Sequence, residues 1–138
     1  MSEFLVIRRS VAPGDVTMNP LRILIAEDEI LVQDITREVL EDHGFNVVCA
    51  STTDEALRIV ETGRDFDTVF LDIDIGDKGG GYRVARRVRT LHPQTRIIYT
   101  SGGAMGEFER ERVEDTEFVP KPYSLEQVCA MLGRRTGE

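Results

Sequence analysis

The sequence predicts an α/β domain in which a five-stranded parallel sheet is covered by five flanking helices. Short apolar runs alternate five times with segments whose apolar residues recur at helical spacing, which is the pattern of a parallel sheet with helices on both faces. The 138 residues suffice for one domain that buries its core without disulfides or metal ions. No internal repeat, low-complexity tract or linker marks a second domain.

The first two strands are predicted over residues 21–26 and 45–50, and the first strand ends at three consecutive acids. Between these strands, Leu31, Ile35 and Val39 recur four residues apart. This spacing places them together on one apolar face of a helix, which a following glycine ends. The chain therefore begins as strand, helix, strand.

A capping box starts the second helix, because Thr52 is followed three residues later by Glu55. The third strand, residues 68–72, is an apolar run that ends in a carboxylate and enters a glycine-rich loop. The next helix is predicted over residues 82–91. It ends at His92-Pro93, since the residue before a proline is pushed out of helical geometry.

The last third of the chain supplies the remaining, shorter elements. The fourth strand is predicted over residues 96–100, a charged helix over residues 105–113 and the fifth strand over residues 116–119. Ser124 and Gln127 form a second capping box, which begins the last helix.

Residues 1–19 are predicted to be a flexible extension ahead of a domain at residues 20–134, with residues 135–138 as a short tail. Met18 could be the natural start of the chain, and the apolar residues 4–7 could instead dock on a partner or on a second copy. The sequence leaves these alternatives open, including a homodimer.

Composition argues against several classes of function. The 25 acidic residues outnumber the 17 basic ones, so the formal charge of -8 disfavours binding to nucleic acid or to anionic lipid. No apolar run is long enough for a membrane span or a signal peptide. Cys49 and Cys129 lie in apolar segments without the paired spacing of a zinc site or a disulfide framework, which is typical of reduced thiols in a cytoplasmic protein.

Polar side chains follow four of the predicted strands. Glu27 and Asp28 follow the first strand, Asp72 ends the third, Ser101 follows the fourth and Lys121 follows the fifth. Because the carboxyl ends of parallel strands meet at one edge of a sheet, we expect these groups to converge there. Neighbouring carboxylates repel, so a cation is expected among them, and Mg2+ suits carboxylate, water and phosphate oxygens. Taken alone, Asp72 could instead cap the next turn.

This series of residues resembles the receiver domain of two-component response regulators, which has a flavodoxin-like (βα)5 fold. The resemblance covers residues 20–134 and rests on four short motifs in chain order. They are Glu27-Asp28, Asp72, Ser101-Gly102 and Lys121-Pro122. Each motif alone is weak, but the four together at successive strand ends are specific.

The resemblance implies that Asp72 accepts a phosphoryl group from a phosphohistidine on a histidine kinase or histidine phosphotransferase. Lys121 would then pair with a phosphoryl oxygen. Mg2+ would be held by Asp28 and Asp72, by Glu27 through a water molecule and by the main-chain carbonyl of Asp74.

The resemblance also implies a conformational switch. Ser101 would move inward to form a hydrogen bond with the phosphoryl group and would make room for the aromatic ring of Phe118. Phe118 could instead be an ordinary core residue with no role in the switch. Thr100 is a second candidate for the reporting hydroxyl. The Lys121-Pro122 bond is expected to be cis, and Gly76, where the family usually has proline, predicts a mobile loop.

The implied function is a phosphorylation-dependent signalling switch of a two-component system or phosphorelay, which acts by altered binding to an unknown protein target. It is not a conventional enzyme, although it would assist its own phosphorylation and autodephosphorylation. Three alternatives remain open: a receiver fragment of a hybrid kinase, a pure interaction module and a haloacid-dehalogenase-like phosphatase. The last would use Asp72-Ile73-Asp74 as its Asp-x-Asp motif, although that motif normally closes the first strand.

Overall fold

The five apolar runs form a parallel sheet in the computed structural model, which describes residues 20–103 and 105–133. The strands are β1 Arg22–Ala26, β2 Asn46–Ala50, β3 Thr68–Asp72, β4 Arg96–Ser101 and β5 Thr116–Pro120. The helices are α1 Ile30–Asp42, α2 Thr53–Glu61, α3 Gly80–Leu91, α4 Met105–Glu111 and α5 Leu125–Gly133. The strand order β2-β1-β3-β4-β5 confirms the predicted flavodoxin-like fold. The predicted extension and tail lie outside the described residues.

Helices cover both faces of the sheet and divide the core into two apolar clusters. Helices α1 and α5 pack on one face, and α2, α3 and α4 pack on the other. All five residues of the central strand β3 are buried. Phe70 belongs to the cluster under α1 and α5 and Leu71 to the other, as alternation along a strand requires. Burial of each such side chain contributes about 1.5–3 kcal/mol, so β3 anchors both layers.

Only Val39 of the predicted apolar face of α1 packs against the core. Leu31 and Ile35 are 76% and 52% exposed, whereas the buried residues of this helix are Gln33, Thr36 and Leu40. Gln33 is buried because its side-chain amide donates hydrogen bonds to main-chain carbonyls at the ends of β1 and β2. The prediction of the helix was right, but the face that it presents to the sheet differs, which leaves α1 with an exposed apolar surface.

Some of the helices begin and end at the residues that the sequence predicts, and others do not. Helices α2 and α5 begin with the predicted caps, in which Thr52 and Ser124 accept main-chain hydrogen bonds. Helix α3 begins at Gly80, two residues earlier than predicted. Its start packs closely on β3, since a Cβ on Gly81 would lie 2.5 Å from the carbonyl oxygen of Asp72. Helix α4 ends two residues earlier than predicted.

The register of the strands brings their carboxyl ends to one edge of the sheet. Ala26 pairs with Ala50 and with Leu71, and Asp72 pairs with Thr100. The residues that follow these positions therefore emerge side by side.

Among the helices that the structure describes, none has the length and apolar character needed to span a bilayer.

Candidate functional site

The carboxylate of Asp72, at the end of β3, is paired with the ammonium group of Lys121. Lys121 Nζ donates a hydrogen bond to Asp72 Oδ2 at 2.9 Å and lies 3.2 Å from Glu27 Oε1. Asp72 and Glu27 are 8% and 3% exposed. The bond between Lys121 and Pro122 is cis, as expected. One cation thus bridges two buried acids that come from different strands.

Burial and the ion pairs shift two pKa values at the site. Burial raises the pKa of Glu27 above its usual range, although the amide of Glu29 and the ammonium of Lys121 oppose this shift. Burial by itself would lower the pKa of Lys121. The hydrogen bond and charge of Asp72, together with the charge of Glu27, outweigh that effect and raise the Lys121 pKa. Lys121 is therefore positively charged at neutral pH.

Glu27, Asp28 and Asp72 form an acidic cluster, in which one carboxylate oxygen of each residue lies within 4.8 Å of the others. Asp28 is exposed, and its Oδ2 accepts a hydrogen bond from the amide of Gly76 at 3.2 Å. Three carboxyl groups face the single positive charge of Lys121, and a divalent cation would offset the repulsion between them. A set of carboxylate oxygens is the kind of ligand that Mg2+ prefers, so the residues fit this ion.

The β3–α3 loop, residues 73–79, is held by its own hydrogen bonds. The amide of Asp74 donates to Asp72 Oδ1 at 3.2 Å, and Asp74 Oδ1 accepts from the amide of Gly79 at 2.9 Å. Gly76 and Gly79 have φ values of 71° and 75°, which glycine adopts without strain. These two glycines therefore allow a tight turn, and the mobility of the loop stays a prediction.

The two candidate switch hydroxyls differ in their surroundings. Ser101 is partly exposed at the end of β4, and its Oγ accepts a hydrogen bond from the amide of Gly103 at 2.9 Å. Thr100 is 2% exposed, and its hydroxyl has no hydrogen-bond partner in the part of the chain that the structure describes. Ser101 is therefore the more accessible hydroxyl. Phe118 packs against Phe108 with ring centroids 4.9 Å apart, between β5 and α4.

Two buried polar residues beside the site were not found from the sequence. The side-chain amide of Gln33 donates to the carbonyl oxygen of Glu27 at 3.0 Å and holds the chain at the acidic pair. The hydroxyl of Thr53, on α2, lies 2.9 Å from the carbonyl oxygen of Ile75 and 2.7 Å from Asp77 Oδ1. Hydrophobic periodicity carries no signal for such residues, because both are polar.

The sequence matches the model of a known protein family. A family model described as the response regulator receiver domain matches residues 23–133. The sensor kinase CckA of Brucella abortus is 34% identical over 113 residues, which cover 80% of this chain and 12% of CckA. The transcriptional regulatory protein DltR of Streptococcus agalactiae is 29% identical over 119 residues, which cover 84% of this chain and 52% of DltR. The chain thus spans only part of the length of each of these relatives.

Two solved structures share the fold over nearly their full length. A response regulator receiver protein from Sinorhizobium medicae has a TM-score of 0.76 at 29% identity, and the match covers 84% of this chain and 96% of that one. The receiver domain of the sensor histidine kinase PA1611 from Pseudomonas aeruginosa has a TM-score of 0.73 at 20% identity. This match covers 86% of this chain and 99% of that one. A magnesium ion is coordinated in the active-site cleft of the PA1611 domain.

Proposed function

The chain belongs to the response regulator receiver domain family of two-component systems, and from this membership we propose that Asp72 accepts a phosphoryl group from a histidine kinase or histidine phosphotransferase. The phosphorylated form then binds an unknown protein target with altered affinity. The observation that carries this proposal is the 2.9 Å contact between Asp72 and Lys121 beside the acidic residues that follow β1.

Asp72 is the proposed nucleophile. One of its carboxylate oxygens forms a P–O bond as the P–N bond to the donor imidazole breaks, and the bonding electron pair stays on the imidazole nitrogen. Lys121 then moves its ammonium group to a phosphoryl oxygen of the mixed anhydride. Because Lys121 already lies between Asp72 and Glu27, this charge is positioned before the donor arrives.

The acidic cluster is the proposed Mg2+ site. Asp28 and Asp72 would bind the ion directly, Glu27 through a water molecule and Asp74 through its main-chain carbonyl. When bound, Mg2+ supplies positive charge that offsets the charge of the phosphoryl group during transfer. The three clustered carboxylates of this chain support that role, because their oxygens lie close enough to share one ion.

Ser101 is the proposed reporter of phosphorylation. Its hydroxyl must leave the amide of Gly103 before it can donate a hydrogen bond to a phosphoryl oxygen. The β4–α4 loop would follow this movement, and the ring of Phe118 would turn into the space that opens. The close packing of Phe118 on Phe108 supports a link between this loop and α4.

Receiver domains are signalling switches rather than conventional enzymes, and we propose that the same groups assist autodephosphorylation. The phosphatase alternative gains no support, because the chain matches the receiver family and Asp72 ends the third strand rather than the first. Relatives include a sensor kinase and a transcriptional regulator. We propose the same phosphoacceptor role for Asp72 whether the domain works with a sensor kinase or with a transcriptional regulator.

Mass spectrometry after incubation with acetyl phosphate and Mg2+ tests this proposal. The parent should gain one phosphoryl group, and Asp72→Asn should gain none. Asp54→Asn is the matched control, because it changes an exposed acid of α2 that lies outside the acidic cluster. This control should still be phosphorylated. An unmodified parent, or a modified Asp72→Asn protein, would contradict the role of Asp72.

A further inference from the structure

A buried hydroxyl on α2 holds the β3–α3 loop from outside the acidic cluster. Thr53 is 5% exposed, and its Oγ1 lies 2.9 Å from the carbonyl oxygen of Ile75 and 2.7 Å from Asp77 Oδ1. The hydroxyl proton is donated to one of these acceptors at a time. Asp77 is also paired with Arg83 at 3.1 Å. The loop is therefore tied to both α2 and α3.

Gly80 provides the space for this contact. A Cβ built on Gly80 would lie 2.1 Å from Thr53 Oγ1 and 2.6 Å from Asp77 Oδ1. Gly80 is not among the glycines with positive φ, so close packing rather than backbone conformation accounts for a glycine here. A side chain at this position would displace the Thr53 hydroxyl. The first residue of α3 therefore has to be small for the Thr53 hydroxyl to reach the loop.

Two other anchors of the loop lie inside the proposed site. The amide of Asp74 donates to Asp72, and the amide of Gly76 donates to Asp28. Metal binding and phosphorylation would both use the carboxylate oxygens of Asp72 and Asp28. The two hydrogen bonds to the loop would therefore compete with the metal ion and the phosphoryl group for these oxygens. Thr53 binds the loop through groups that take no part in either event.

We propose that Thr53 is a positioning residue for metal binding and phosphoryl transfer, because it keeps the β3–α3 loop in place while Asp28 and Asp72 exchange their partners. This inference rests on the proposed function, in which the loop supplies the carbonyl of Asp74 as a metal ligand. Without the hydroxyl, the carbonyl of Ile75 loses its partner and the loop samples other conformations. Mg2+ then binds more weakly, because binding must also order the loop.

Three variants test this proposal by isothermal titration with Mg2+. Thr53→Val removes the hydroxyl but keeps the side-chain shape, whereas Thr53→Ser keeps the hydroxyl. Thr95→Val is the matched control, because Thr95 is 7% exposed and donates to the carbonyl of Phe66 at 3.0 Å, at the opposite end of the sheet. The Mg2+ Kd should rise about fivefold in Thr53→Val. It should stay at the parent value in Thr53→Ser and Thr95→Val.

Hydrogen exchange of the loop amides in metal-free protein gives a second readout. The amides of Gly76 and Gly79 should exchange faster in Thr53→Val than in the parent or in Thr95→Val. Parent-like exchange in Thr53→Val would overturn the anchoring role, and a parent-like Mg2+ Kd in that variant would overturn its effect on the site. An equal loss of affinity in Thr95→Val would also overturn it, since general destabilisation would then be the cause. A parent that binds no Mg2+ would contradict the proposed metal site itself.

Discussion

At the scale of single residues, Lys121 is a cation held between two acids. Its contacts with Asp72 and Glu27 offset part of the repulsion between these carboxylates. Breaking a buried ion pair by removing one partner typically costs about 3–5 kcal/mol, because the other charge is left unpaired. Lys121 therefore stabilises the folded site as well as serving the proposed chemistry.

The raised pKa of Glu27 predicts how stability depends on pH. A carboxyl group whose pKa is higher in the folded than in the unfolded chain holds its proton better when folded. Its stabilising contribution is complete below the ordinary value of 4.5 and is lost as the pH rises through the folded pKa. Urea unfolding in EDTA should therefore show that the free energy of unfolding falls as the pH rises from 4.5 towards neutrality.

Glu27→Gln should flatten this dependence, because it removes the titrating group and keeps its size. Titration of Lys121 does not change the free energy of unfolding between pH 4.5 and neutrality, because its raised pKa affects stability only above the ordinary value of 10.5. The lowered pKa values of Glu61 and Asp77 matter only as the pH falls below 4.5 and 3.8. An equally steep dependence in Glu27→Gln would show that another group is responsible.

At the scale of secondary-structure elements, α1 carries an apolar surface next to the site. Ile30, Leu31 and Ile35 are more than half exposed on this helix. Ile35 also lines a groove of about 410 Å³, together with Lys121 and Tyr123. Because Lys121 also contacts the carboxylate of Asp72, the groove is continuous with the proposed phosphorylation site. We expect the histidine-phosphorylated donor protein to cover this surface.

Leu31→Ser should slow phosphoryl transfer from such a donor on the order of tenfold, because the substitution removes an apolar interface contact. Its rate with acetyl phosphate should be unchanged, since a small donor needs no protein interface. Leu91→Ser is the control, because Leu91 is 38% exposed on α3, at the other face of the sheet. Time courses with both donors measure the difference. Equal slowing with both donors would argue against docking on α1.

A second element, α4, is linked to the site through aromatic rings. Tyr99 on β4 packs against Phe108 on α4 with ring centroids 5.4 Å apart, and Phe108 packs against Phe118 on β5. The hydroxyl of Tyr99 accepts a hydrogen bond from the amide of Val113, just after α4. A movement of the neighbouring β4–α4 loop should therefore be transmitted to α4 and β5.

Ser101→Ala should accept a phosphoryl group from acetyl phosphate but fail to shift α4 and β5, because no hydroxyl is left to bond the phosphoryl oxygen. Amide chemical shifts of residues 105–120, recorded before and after phosphorylation, measure this response. Thr100→Val is the control, since the Thr100 hydroxyl has no partner among the described residues. This control should respond as the parent does. The reporter role fails if Ser101→Ala shows the same shifts as the parent.

At the scale of the whole molecule, the paired strands assemble the site, so binding of the proposed metal ion would be coupled to folding. The acids follow β1 and end β3, while the lysine follows β5. In the unfolded chain these groups are far apart in sequence and cannot share an ion. A ligand that binds only the folded chain raises the free energy of unfolding by about 1.4 kcal/mol at ten times its Kd.

Mg2+ at ten times its Kd should therefore raise the Tm by about 4 °C. Asp28→Asn should lose most of this rise, because the variant lacks one of the proposed ligands. Glu38→Gln is the control, since it removes an exposed acid of α1 that lies outside the acidic cluster. Thermal unfolding followed by circular dichroism, with and without Mg2+, measures both effects. A Tm that does not respond to Mg2+ in the parent would count against the site.

The sequence by itself determined the order of elements and the residues that meet at the edge of the sheet. Apolar runs bounded by polar residues predict buried strands, and parallel pairing places all their carboxyl ends on one side. For that reason Asp28, Asp72 and Lys121 could be expected to converge although they are far apart in the chain. The cap at Thr52 was also predictable, because its hydrogen bond joins residues only three apart.

Only the tertiary structure decided which side of α1 meets the sheet and which polar groups are buried. Leu31 is exposed and Gln33 is buried, because carbonyl groups at the ends of two strands accept the Gln33 amide. The acceptors of the Thr53 hydroxyl lie 22 and 24 residues further along the chain. Periodicity depends on near neighbours in sequence, whereas a buried hydrogen bond depends on groups that only folding brings together.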